Sequence, residues 1–76
     1  MLPNIQIGEE FTHPHIYSCA GHSWQKNYLI LSMEEPTLRF GKPDRLLRVR
    51  CTTINCATGT KRVIDANKPV WLNDIT

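Results

Sequence analysis

Residues 46–54 read LLRVRCTTI, and the side chains alternate cleanly along them. Leu47, Val49, Cys51 and Thr53 fall on one side of an extended chain, and Leu46, Arg48, Arg50, Thr52 and Ile54 on the other. One apolar side, and two neighbouring arginines on the opposite side, predict a β-strand that lies on a core with one face and presents cations with the other. Downstream, Ala57-Thr58-Gly59-Thr60 separates this strand from Lys61-Arg62-Val63-Ile64-Asp65. A glycine that can take a positive φ suits a hairpin connection there. That hairpin would place Arg48, Arg50, Lys61 and Arg62 on one ribbon.

Upstream, Asn27–Met33 carries Tyr28, Ile30 and Ser32 on one side and Leu29, Leu31 and Met33 on the other, so a central strand is expected. Asn4–Ile7 alternates with period two and predicts a short half-buried strand ended by Gly8. Thr12–Ser23, with Pro14 and Gly21, reads as an ordered loop or a pair of very short strands. Thr37–Phe40 is a candidate edge strand ended by a turn at Gly41-Lys42-Pro43-Asp44, where proline followed by aspartate suits type I turn chemistry. Ala66–Pro69 predicts a further turn, and Val70–Leu72 a last strand or short 3₁₀ turn, with Trp71 as the main core plug. No window has a sustained helical period. The fold class expected is all-β: a small antiparallel barrel or strongly curved sheet of about five short strands, SH3-like, in a single domain over residues 1–76.

At 76 residues, folding hides only about 60 % of the surface that the unfolded chain exposes, so one thin core is expected and a large substrate cleft is not. With 41 % hydrophobic and 21 % charged residues the composition is that of a globular chain. The longest apolar run, Tyr28–Leu31, is far too short to cross a bilayer, and MLPNIQIGEE lacks the basic and apolar regions of a signal peptide. A cytoplasmic protein without a membrane partner is expected. Three cysteines cannot all pair within one chain and read as reduced thiols.

Charge is unevenly spread. Between Arg39 and Arg62 seven cations face the single acid Asp44, while residues 1–35 set Lys26 against Glu9, Glu10, Glu34 and Glu35. The chemistry these residues offer divides into four classes. Cys19 and His22, joined by Cys51 and Cys56, have the residue types of a Cys₃His zinc site, although Cys51 belongs to the apolar side of a strand. Cys19 with His13, His15 or His22 has the residue types of a thiolate mechanism, without an orienting third group or an oxyanion site. A basic stripe at Arg48, Arg50, Lys61 and Arg62, with Phe40 and Tyr28 as candidate stacking residues, suits a nucleic acid. The same stripe, extended by Arg39 and Arg45, suits an acidic face on a larger protein or protein complex, since arginine and tryptophan are frequent interface anchors.

The function expected is that of a non-enzymatic binding module that docks on a larger protein through this basic ribbon, without a cofactor. On size alone, a compact inhibitor or adaptor of the kind that mobile elements encode fits. A nucleic-acid-binding β-barrel and a zinc-stapled adaptor are the alternatives.

Overall fold

The computed structural model describes residues 2–76. Seven strands and one helical turn follow in order: β1 (Glu10–Thr12), β2 (Tyr17–Cys19), β3 (His22–Met33), β4 (Thr37–Arg39), β5 (Lys42–Asp44), β6 (Leu46–Asn55), β7 (Lys61–Trp71) and α1 (Leu72–Ile75). All pairings are antiparallel. The main sheet runs β1-β3-β6-β7 with β2 also on β3, and β4–β5 form a separate hairpin. β3 is the central strand expected from its sequence. No pairing joins β1 to β7 among the described residues, so the sheet is open and no closed barrel forms.

The alternation in LLRVRCTTI is realised. Leu47, Val49 and Cys51 are buried and Arg48 and Arg50 exposed. Across the ladder Tyr28 faces Cys51 and Ile30 faces Val49, both buried. A bulge at Leu31 then puts Ser32 opposite Arg48 and Met33 opposite Leu47. Met33 thereby joins the core side instead of the outer one, because the inserted residue inverts the alternation beyond it. Leu72 and Ile75 of α1 complete the core, and Leu2, Ile5, Phe11 and Val70 pack against it. The core thus lies on one face of the sheet, here called the inner face.

Four expectations are corrected. Asn4–Ile7 forms no strand: Ile5 is half-buried on the core and Ile7 is exposed. The chain turns at Ile7-Gly8, where Gly8 N–H donates to Ile30 O and Ile30 N–H to Glu9 O, and the strand begins at Glu10. The turn placed at Gly41–Asp44 is a two-residue connection at Phe40-Gly41, with φ of 53° and 74°. A tight hairpin demands positive φ at both turn positions, which Gly41 adopts without strain.

The turn expected at Ala66–Pro69 is a pair of bulges inside one long strand. Val49 faces Lys68, Cys51 faces Asp65 and Thr52 faces Val63, so β7 inserts one extra residue in each interval. Asn67 N–H donates to the Asp65 carboxylate at 3.2 Å, a local turn that the ladder on either side absorbs. Pro69 is tolerated because β7 is an edge strand. Trp71, finally, is half-buried, with the Arg39 guanidinium 4.7 Å from its ring, while Leu72 is the plug.

Asp44 fastens α1 to β5. It is 2 % exposed and accepts from Arg45 N–H (2.7 Å), Asn73 N–H (3.1 Å) and the Arg39 guanidinium (3.3 Å), which also pairs with Asp74. Burial works to raise its carboxyl; the two amides and the guanidinium outweigh it, and the group titrates below the ordinary carboxylate range.

Candidate functional site: the outer face of the sheet

Antiparallel register sorts the basic ribbon by face, because residues directly opposite each other share a side. Four rows cross the outer face: Ser32, Arg48 and Pro69; Glu10, Leu29 and Arg50; Thr12, Asn27, Thr52 and Val63; and Gln25, Ile54 and Lys61. Arg48, Arg50 and Lys61 therefore project together. All three are exposed, and none makes a salt bridge or side-chain hydrogen bond among the described residues. In the same rows lie Leu29, half-buried, and Val63, exposed at 52 %. Glu10 is the acid of these rows, and it accepts from the Asn27 side-chain amide at 3.4 Å.

The other expected partner-binding residues lie elsewhere. Arg62, opposite Thr53, points with Cys51 and Trp24 to the inner side, beyond the core, because the bulge at Ile64 sets the register there. Arg39 is engaged with Asp44, Asp74, Trp71 and Phe40. The Arg45 side chain donates to Glu34 O at 2.6 Å. These two arginines stitch the β4–β5 hairpin to the body. Of the stacking candidates, Tyr28 is in the core and Phe40 sits on the β4–β5 turn, so neither flanks Arg48 and Arg50.

The cysteines and histidines do not converge into one set. Cys19 faces His22 across the β2–β3 hairpin, both exposed, and Cys56 N–H donates to Ser23 O near that tip. Cys51 is fully buried under the sheet beside Tyr28. Among the described residues no group of three or more His, Cys, Asp or Glu side chains could hold a metal ion. Burial pushes the Cys51 thiol up, and burial together with Cys51 raises the Tyr28 hydroxyl, so both are neutral core groups. In the segment that carries the histidines Ile16 is exposed, Tyr17 is anchored by stacking on Trp24, and half-buried His13 meets Tyr28 edge-on.

The Tyr17–Trp24 pair escaped the sequence reading. Its signal was present: Ala20-Gly21 is a two-residue turn with φ of 51° and 80°, which fixes Cys19 opposite His22 and hence Tyr17 opposite Trp24.

Comparison with protein-family models, with curated proteins and with solved structures gives no significant match. No helix among the described residues is long and apolar enough to cross a membrane.

Proposed function

We propose that the protein is a non-enzymatic binding module with an SH3-like curved sheet, and that it docks through Arg48, Arg50 and Lys61 on an acidic surface of a larger protein, as an inhibitor or adaptor. The observation that carries this reading is the exposure of three unpaired cations on a sheet face that the core residues leave uncovered. Charge requires an anionic occupant: carboxylates, like phosphates, pair with guanidinium groups in bidentate fashion. Leu29 and Val63 beside the arginines supply apolar area that a protein interface buries and a phosphate backbone does not use. Aromatic residues, which a nucleic-acid surface would want for stacking, are absent from the four rows.

The test is affinity capture from the source cell with nuclease-treated extract, using wild type and the double charge reversal Arg48→Glu with Arg50→Glu. Recovery of one protein by wild type, reproduced with that protein purified and lost in the reversal, supports the proposal. Capture that the reversal leaves unchanged, or capture that the reversal abolishes but that also requires intact nucleic acid, refutes it.

A further inference from the structure

A second surface lies on the inner face, beyond the end of the core. The protein measures 40 × 22 × 18 Å, and β3, β6 and β7 continue past the core as a ribbon. There the half-buried Trp24 separates two different environments. On the β2 side its ring stacks on Tyr17, with centroids 5.9 Å apart and planes within 16°. On the β6–β7 side it walls an open groove of about 330 Å³, completed by Thr53, Asn55, Thr58, Thr60 and Arg62.

The groove is chemically one-sided. No carboxylate lines it, and its cation, Arg62, is exposed with no ion pair among the described residues. The Asn55 side-chain oxygen accepts from the backbone amides of Ala57 and Thr58, and the Thr58 hydroxyl donates to that of Thr60. The Asn55 amide and the Thr60 hydroxyl proton remain to donate. An indole wall fixed by a stacked tyrosine, a guanidinium and neutral donors match a planar aromatic ring carrying an anion. The volume is at the small end of ligand clefts.

Behind Trp24 the aromatic tier is packed on itself, and a further cation, Lys26, lies beyond the groove, where a strand would reach it and a free nucleotide would not. The Lys26 ammonium stands 5.0 Å from the Tyr17 ring centre, and His15 meets the same ring edge-on at 4.4 Å. These contacts fix Tyr17, and through it Trp24; a base on an aromatic face with a cation beside it for the phosphate is how single strands are held without sequence readout.

We propose that this groove and the tier beside it bind single-stranded nucleic acid, with one base against Trp24 and its phosphate on Arg62. This site is on the opposite side of the sheet from Arg48 and Arg50, so it stands or falls separately from the protein-docking reading.

The experiment is fluorescence anisotropy with 5′-fluorescein-labelled oligothymidylate and oligouridylate, titrated with the full chain from low to high NaCl. Thymidine monophosphate serves as competitor. Both oligomers are expected to bind at low salt, with the monophosphate competing only weakly. Trp24→Leu should weaken binding about tenfold. Arg62→Ala, at an exposed position that does not threaten folding, should weaken it and reduce the slope of log affinity against log salt by about 0.7. Arg48→Ala with Arg50→Ala should change neither quantity. The proposal is overturned if neither oligomer binds at low salt, if Arg62→Ala leaves affinity and slope unchanged, or if the outer-face pair abolishes binding.

Discussion

Replacing Asp44 by alanine should strongly destabilise the protein. Its carboxylate receives two backbone amides and the Arg39 guanidinium at a site 2 % exposed, and the substitution removes all three hydrogen bonds at once. A buried donor left without a partner costs about 1–3 kcal/mol. Arg39 keeps Asp74 and is not stranded, so the loss comes mainly from the amides of Arg45 and Asn73 and amounts to about 3 kcal/mol. A domain of this size has about 4–11 kcal/mol in all. With a urea dependence of about 1 kcal/mol per molar, the midpoint should fall by about 3 M. The isosteric Asp44→Asn retains one acceptor oxygen and should fall by about 1 M. Urea titration followed by tryptophan fluorescence reads both. A drop below about 0.5 M for the alanine variant, or equal drops for the two, would refute the assignment of Asp44 as the tie between β5 and α1.

The same group sets acid stability. Its folded value is depressed, so its contribution is full above the ordinary carboxylate value of 3.8 and is lost as pH falls through the lower folded value; urea midpoints for Asp44→Asn should lose this acid limb. At the alkaline end the sign reverses. Cys51 and Tyr28 are raised in the fold, the unfolded chain releases those protons first, and stability should decline as pH climbs past the ordinary thiol value of 9.0, which urea midpoints at about pH 8 and about pH 10 will show. Titration with a disulfide reagent should find the two exposed thiols, Cys19 and Cys56, in the native protein and the buried third, Cys51, only after unfolding. Phe40→Asn should stabilise by about 1 kcal/mol in the same urea assay, because it relieves a bulky residue of a left-handed turn conformation that Asn-Gly adopts readily; a loss of stability would mean that the Phe40 contact with Arg39 outweighs the strain.

The parts of this fold that local chemistry encodes were legible in the sequence, and the parts set by register were not. The alternation Leu47-Val49-Cys51 against Arg48-Arg50 declares both the strand and its two faces, and the doubly apolar Asn27–Met33 declares the centre of the sheet. The hairpin at residues 56–60 follows from Gly59. By contrast, four residues of α1 are too few to show a helical period. Phe40 at a positive φ contradicts its own preference and is held by the pairing of Arg39 with Lys42. The largest gap concerns the candidate surface. Lys61 and Arg62 were visible as part of a basic ribbon. Their separation onto opposite faces depends on the inserted Ile64, which only the partner strand reveals. Arg39 and Arg45 carry charge that a sequence counts as available and that the β4–β5 hairpin consumes.

The central claim is that Arg48 and Arg50 present a charged face to an acidic protein surface. It is tested most directly by titrating the purified captured partner against wild type and against Arg48→Glu with Arg50→Glu, with the urea midpoint of each variant measured alongside. An affinity loss of at least about tenfold at an unchanged midpoint is expected, growing smaller as salt is added. Equal affinities in the two proteins, with both fully folded, would contradict it.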